Sequence, residues 1–248
     1  MRHEPIRAAA SLAELYEGLG AAEMLEAALK RDLRGRVALV SSFGAESVVL
    51  LHLAARIDRR TPVVFVDTLR LFPETLAYQR EVAKRLALTD LRLVRPNPAA
   101  LAAEDPVETL AARNPDACCA LRKARPLEAA LAPFDAWISG RKRAQSAARA
   151  ALAPAEADAA GRIKLNPLFD WSAEDVRAYM RRFGLPPHPL VAQGFSSIGC
   201  APCTTPVAPG EPQRAGRWRG TKKDECGIHF VNSRVMRKPG DAAAMDWF

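Results

Sequence analysis

Arg36-Val-Ala-Leu-Val-Ser-Ser-Phe-Gly-Ala-Glu-Ser47 is the stretch that decides the fold. Arg36 to Ser41 reads as a strand with apolar residues at successive positions, the pattern of a strand covered on both faces. It passes through Ser42-Phe-Gly-Ala-Glu-Ser47 into an apolar helix reaching about Ile57. Small residues in such a turn let backbone N–H groups approach an anion, and the helix dipole adds to the attraction. No Gly-Lys-Ser/Thr follows, so this is not a Walker A loop. Taken alone, the turn is equally well an ordinary strand–helix connection.

Outward from this unit the pattern repeats. Thr61-Pro-Val-Val-Phe-Val66 is a second strand ending at Asp67-Thr68, and Pro73 and Glu74 suit the first turn of the next helix. Leu91 to Val94 and Ala136 to Ser139 make a third and a fourth strand. Strands alternating with helices imply an α/β fold, a parallel twisted sheet with helices on both faces. Ligands of such sheets sit beyond the carboxyl ends of the strands. Ser42–Ser47, Asp67–Leu71 and Gly140–Arg143 are therefore expected to meet at one cleft.

At the start of the chain, Leu12, Leu15, Tyr16 and Leu19 predict a helix with one apolar face. Near the other end, Ser172 and Asp175 stand as a capping box before the stripe Val176, Tyr179, Met180, Phe183, which reads as core. Ala151 to Ala160 reads as an alanine-rich surface connection, and Pro206 to Arg219 as a mobile stretch. The division expected is an α/β domain over 1–205, bearing the cleft and four of the cysteines, and a flexible C-terminal segment over 206–248.

Composition narrows the functional class. A chain of 248 residues, 49% hydrophobic and 26% charged, has the balance of a globular protein able to bury a core. The longest apolar run, Val48 to Leu53, is broken by His52, so no membrane span is expected. Met1 to Leu19 carries Glu4, Glu14 and Glu17 and lacks the apolar core of a signal peptide, which makes a cytoplasmic location the expectation. A net charge of +8 points to an anionic partner without saying which, and equally fits a basic solvated surface. Nucleic acid is disfavoured, because aromatics are only 6% and none interleave with a basic strand face. The sequence is silent on whether the protein is a homo-oligomer.

Five cysteines in such a chain argue against a disulfide framework and divide into four and one. Cys118-Cys119 and Cys200-Ala-Pro-Cys203 offer four thiolates, which suit tetrahedral zinc or an iron–sulfur cube. Neighbouring cysteines close awkwardly on one zinc, whereas a cube offers separate irons. Buried small hydrophobes, or a redox dithiol at the second pair, are the competing readings. Lys123 lies one turn beyond Cys119, near any anion held there. Cys226 has Lys222, Lys223 and His229 nearby, and positive neighbours favour a thiolate. Those residues equally permit an inert cysteine. Arg141-Lys-Arg143, Arg214 and Arg217 carry groups suited to phosphate or sulfate oxygens.

In order along the chain stand Ser42-Phe-Gly-Ala-Glu46, Val66-Asp-Thr-Leu-Arg-Leu-Phe-Pro-Glu-Thr75, Cys118-Cys-Ala-Leu-Arg-Lys123 and Gly140-Arg-Lys-Arg-Ala-Gln-Ser146. Ser197-Ile-Gly-Cys-Ala-Pro-Cys-Thr204, Arg214-Ala-Gly-Arg-Trp218 and Glu225-Cys-Gly-Ile-His229 follow. From about Val37 to His229 the chain resembles the iron–sulfur, adenylyl-sulfate (APS) reductase branch of the phosphosulfate reductase family. The resemblance implies an adenine-nucleotide alpha-hydrolase-like sheet. It implies that Ser42, Phe43, Gly44, Ala45, Glu46, Ser47 and Leu69 hold the nucleotide. It makes Cys118, Cys119, Cys200 and Cys203 the ligands of one [4Fe–4S] cluster. Lys123, Arg143, Arg214 and Arg217 are implied near the phosphosulfate, Cys226 as the nucleophile, and His229 as its neighbour. The implied reaction converts APS to sulfite and AMP, with thioredoxin or a similar dithiol as reductant.

Two positions depart from the family pattern. Ser47 stands where an acidic residue is common, and Ala147-Ala148 replaces a hydroxyl-bearing position before Arg149. Two enzyme alternatives share this type of sheet: a reductase of 3′-phosphoadenylyl sulfate (PAPS), and a tRNA-thiolating enzyme. The second usually reads Ser-Gly-Gly-x-Asp-Ser at the first loop, where this chain has Phe43 and Glu46. The non-enzyme alternative is a basic nucleic-acid-binding module with structural zinc.

Overall fold

Three four-residue strands, β1 (Val37–Val40), β2 (Val63–Val66) and β3 (Leu91–Val94), are joined by helices. The architecture is that of a computed structural model, which describes residues 3–221 together with 223 and 225. In chain order the helices are α1 (His3–Tyr16), α2 (Ala21–Ala27), α3 (Ser47–Ile57), α4 (Pro73–Arg85), α5 (Pro98–Glu104), α6 (Leu110–Arg113), α7 (Pro115–Cys119), α8 (Arg125–Leu131) and α9 (Ala173–Arg182). Strands β4 (Ala136–Ile138), β5 (Ala155–Ala157) and β6 (Ile163–Leu165) complete one six-stranded sheet of order β3-β2-β1-β4-β6-β5.

β1 and β4 are parallel neighbours, Leu39 lying opposite Val63 on one side and Ile138 on the other. The strand order reverses between β1 and β4, which puts the topological switch point, and the crevice it opens, at their carboxyl ends. The apolar runs that predict β1 and β2 are buried as expected: Val64 is 0% exposed and Leu39 1%. One core lies where α3, α4 and α9 pack with α1 and α2, and a second apolar cluster joins Leu127, Leu131 and Phe134 to Trp137 on β4.

Two expectations are corrected. The stretch read as a surface connection contains β5, antiparallel to β6, so the sheet is mixed. Alanines lack the branched side chains that mark a strand, and what recruits this one is burial of Ala155 and the pairing of Glu156 with Lys164 at 3.5 Å. On α1 the buried face is Ala9 and Tyr16 with Leu12 and Ala13 packed beside them, while Leu15 is exposed. α1 lies along β5 and β6 and covers that edge of the sheet.

The caps read from the sequence form. Ser172 Oγ accepts the Asp175 N–H at 3.1 Å, and Asp175 Oδ2 accepts the Ser172 N–H at 2.8 Å. Beyond α9, buried His188 locks the chain back onto α4. Its Nδ1 accepts the Leu190 N–H at 3.2 Å, so the proton stays on Nε2, 3.1 Å from Thr75 Oγ1. Burial pushes this imidazole down to about 4. The unfolded chain therefore binds a proton below about pH 6.5 that the fold refuses until about pH 4, so stability present above 6.5 is lost as the pH falls through that window. On this site alone the loss is about 2 kcal/mol by pH 5. His188→Asn, which keeps the acceptor for Leu190, is expected to lower the urea midpoint at pH 7.5 and to flatten its fall between pH 6.5 and 4.

Candidate active site and cysteine quartet

The turn after β1 is held open from within. Phe43 takes a left-handed backbone (φ 46°) and drives its ring into the core, edge-on to Phe65 at 5.1 Å. The Phe43 N–H donates to Ser41 Oγ at 3.1 Å and the Gly44 N–H to Ser47 Oγ at 3.1 Å. Ser47, one of the two departures from the family pattern, thus closes the turn at the start of α3. A Cβ at Gly44 would lie 3.2 Å from the Ile198 carbonyl, so the close approach of 197–199 favours a glycine. Of the six loop residues expected at the nucleotide, Ser42, Gly44, Ala45, Glu46 and Ser47 line the cavity beyond the sheet, while Phe43 anchors them from behind.

That cavity has a volume of about 190 Å³. Its wall carries six basic side chains, Lys123, Arg141, Lys142, Arg149, Arg214 and Arg217, against two acidic ones, Glu46 and Glu225. Glu46 is neutralised by Lys142 at 2.7 Å. Burial pushes the Lys142 ammonium down and Glu46 draws it back. Gln145 joins the two sides, donating from Nε2 to Glu46 at 3.2 Å and accepting from Arg149. Behind this wall burial pushes Lys164 down to about 7, with Arg141 adding to the effect and Glu156 opposing it. The positive excess suits an anion of more than one charge.

The expected convergence of the three strand ends occurs, with a change in its members. Ser42, Gly44–Ser47 and Gly140–Lys142 line the cavity together with Leu71, and Lys123, Arg214 and Arg217 stand in its wall. Arg143 does not: it is exposed, stacks on Phe169 at 4.7 Å and donates to the Leu152 carbonyl at 2.8 Å. Leu69 is also outside the lining, 48% exposed with a left-handed backbone (φ 59°), its N–H bonded to Asp67 Oδ1 at 3.0 Å. Gln145, Arg149 and Glu225 are polar wall residues that sequence reasoning did not select, and of the Arg141-Lys-Arg143 run it is Arg141 and Lys142 that reach the wall. Three cations in a row after a strand are visible in the sequence, but which of them face inward depends on the backbone turn at 140–145. Cys226 and His229 lie outside the described residues.

The four cysteines meet at a second cavity, which shares Lys123, Arg217 and Trp218 with the first. α7 presents Cys118 and Cys119; Asn114 caps it by accepting the Ala117 N–H at 3.0 Å, and Pro115 fixes its first turn. A wide turn over Ala120–Ala124 then carries Lys123. Cys200 and Cys203 come from one tight turn, the Cys203 N–H bonding the Cys200 carbonyl at 3.0 Å. The Ala201 N–H bonds the Arg70 carbonyl at 2.7 Å, and Thr68 Oγ1 lies 3.2 Å from Cys200 Sγ, so the turn after β2 holds this pair. A Cβ at Gly199 would lie 2.3 Å from the Arg217 guanidinium, which crosses the chain there, so a larger residue would displace that side chain.

None of the four cysteines is in a disulfide. Among the described residues, no three His, Cys, Asp or Glu side chains are grouped as ligands of a single metal ion. Burial pushes the Cys118 and Cys203 thiols up, opposed for Cys118 by Arg122 and for Cys203 by Arg217, Lys123 and Lys223. Arg122 is itself buried, paired with Asp105 at 2.7 Å, and its Nε has no hydrogen-bond partner among the described residues. Soft thiolate donors with a cationic rim and an orphaned buried donor fit an anionic iron–sulfur cluster.

Residues 36–206 match the family described as the phosphoadenosine phosphosulfate reductase domain. A relative from Mesorhizobium japonicum, named adenosine 5′-phosphosulfate reductase, is 49% identical over 92% of this chain and 89% of its own. One from Gloeobacter violaceus, named phosphoadenosine 5′-phosphosulfate reductase, is 42% identical over 88% of this chain and 92% of its own. Among solved structures, a phosphoadenylyl-sulfate reductase from Candida auris in a phosphate complex superposes with a TM-score of 0.67 at 27% identity, covering 78% of this chain and 94% of that one. Yeast FAD synthetase, at 17% identity and a TM-score of 0.52, shares the fold. The chain belongs to the phosphoadenosine phosphosulfate reductase family.

Proposed function

We propose that the protein reduces adenylyl sulfate to sulfite and AMP, in assimilatory sulfate reduction towards cysteine. The observation that carries the reading is the shared wall: Lys123, Arg217 and Trp218 stand at once in the basic cavity beyond the strand ends and in the cavity of the cysteine quartet. A nucleotide carrying phosphate and sulfate meets the excess of positive charge in the first. The family's iron–sulfur branch supplies the use of the second. The 49% identical relative, named for the same reaction, supports the assignment.

In the proposed chemistry the Cys226 thiolate attacks the sulfur of APS. The S–O bond to the phosphate breaks, AMP leaves with the bonding pair, and an S-sulfocysteine remains. Lys123, Arg214 and Arg217 offset charge that grows on the phosphate and sulfuryl oxygens in the transition state. A thiolate of thioredoxin, or a similar dithiol, then attacks the Cys226 sulfur and sulfite departs. The second thiol of the reductant resolves the mixed disulfide, so sulfur gains two electrons and the dithiol loses two. Cys118, Cys119, Cys200 and Cys203 would hold one [4Fe–4S] cluster, which supplies a fixed anionic centre ordering Lys123 and Arg217 in the shared wall. Reaction with a cytosolic dithiol agrees with a cytoplasmic location.

PAPS is the second substrate to test, because the Gloeobacter violaceus relative and the Candida auris structure carry that name. A tRNA-thiolating role is disfavoured by the first loop, where Glu46 is occupied by Lys142. Turnover measured with APS and with PAPS under the same reductant is expected to favour APS; higher kcat/KM with PAPS would reassign the substrate. Cys226→Ser is expected to abolish sulfite release while retaining iron and its visible absorbance, and Cys203→Ser to lose both iron and activity. Arg217→Ala is expected to lower kcat/KM by about 100-fold, as removal of one preorganised transition-state donor does. An undiminished value would take Arg217 out of the chemistry.

A further inference from the structure

We infer that Glu225 is a positioning residue that docks the segment carrying Cys226 into the basic cavity by clasping Arg149. This rests on the reading of Cys226 as the nucleophile. Glu225 is buried in the cavity wall, and its two carboxylate oxygens accept from Arg149 Nε at 2.7 Å and Nη2 at 2.8 Å. Arg214 donates to the same carboxylate at 3.3 Å. The third arm of Arg149, Nη1, donates to Gln145. Every nitrogen of this buried guanidinium is thus engaged within the protein, and the fork–fork pair is the geometry in which such a contact is strongest. Arg149 is therefore a socket for the chain rather than a hand for substrate.

The socket is fixed to the nucleotide loop. Gln145 accepts from Arg149, donates to Glu46 at 3.2 Å and receives the Lys142 N–H at 3.1 Å, and Glu46 in turn holds Lys142 at 2.7 Å. A continuous polar chain runs from Glu46 at the start of α3 to Glu225. Two residues earlier, Lys223 pairs with Asp116 on α7, beside the cysteines. The segment before Cys226 is fastened on one side to the nucleotide cavity and on the other to the quartet. Cys226 is one peptide bond from the Glu225 anchor, so a carboxylate seated on Arg149 confines where the thiolate can go. Removing that charge is expected to loosen this confinement while leaving the positive charge of the wall in place.

The test uses full-length, iron-replete protein purified without oxygen, as wild type, Glu225→Gln and Glu225→Asp. Three quantities are measured by intact mass and equilibrium binding: single-turnover S-sulfonation by APS, alkylation of Cys226 by the neutral reagent iodoacetamide, and APS affinity. For Glu225→Gln, S-sulfonation is expected to slow by tenfold or more, alkylation to quicken severalfold, and APS to bind at least as tightly as to wild type. Glu225→Asp, which keeps the charge with a shorter reach, is expected to fall between. S-sulfonation at the wild-type rate in Glu225→Gln would overturn the proposal. APS binding weakened tenfold in both variants would overturn it too, making Glu225 a support of the cavity instead. A wild-type protein that takes no adduct from APS would sink the proposed function; unchanged alkylation would sink the docking role independently.

Discussion

Concentrated positive charge at the carboxyl ends of β1 and β4 is the constraint on which the rest of the structure depends. Six cations cannot be gathered around one cavity without counter-charge; among the described residues the wall supplies Glu46 and Glu225, and Glu156 pairs with Arg141 from behind. Glu46 pairs with Lys142, and Glu225 pairs with Arg149 and, at 3.3 Å, with Arg214. The wall keeps an excess of positive charge. The same arithmetic explains why the pairs are buried: a carboxylate free in an anion-binding cavity would repel the ligand, whereas one held by an adjacent cation fixes geometry at little electrostatic cost.

The wall between the two cavities follows from the same packing. Lys123 can face both because Cys119 is followed by a wide turn instead of a straight helix, and Arg217 can cross at Gly199 because there is no side chain in its way. Arg217 also stacks on Trp218 at 4.5 Å, and its Nε reaches the Cys203 carbonyl at 3.4 Å. The guanidinium is thereby tied to the turn that presents two of the cysteines. The stretch after Pro206 is fastened to the body in the same neighbourhood: the Thr205 N–H bonds the Gly216 carbonyl at 2.8 Å and the Val207 N–H the Gly194 carbonyl at 3.0 Å. The basic cavity and the quartet are joined through side chains that line both.

The central sheet was legible because unbroken apolar runs such as Val63–Val66 have one economical solution, a strand covered on both faces. The capping box at Ser172 and the proline start of α4 were legible because each is a local interaction complete within four residues. β5 was not, since Ala155-Glu-Ala157 owes its place to a buried ion pair with a residue of the next strand and carries no periodic signal of its own. The cleft could be located from strand ends, but not its inward-facing cations. Arg143 and Arg141 are alike in sequence, and only the path of the backbone after β4 sends one to Phe169 and the other toward Glu156. Glu225 was invisible for a related reason: its importance lies in a partner 76 residues away.

The account is tested most directly by weighing the intact protein after incubation with APS alone, without oxygen or reductant. It requires a mass gain of one sulfonate on wild type, none on Cys226→Ser, and loss of the adduct with release of one sulfite when reduced thioredoxin is added. Iron-replete wild type that gains no mass from APS, or an adduct that persists in Cys226→Ser, would contradict it.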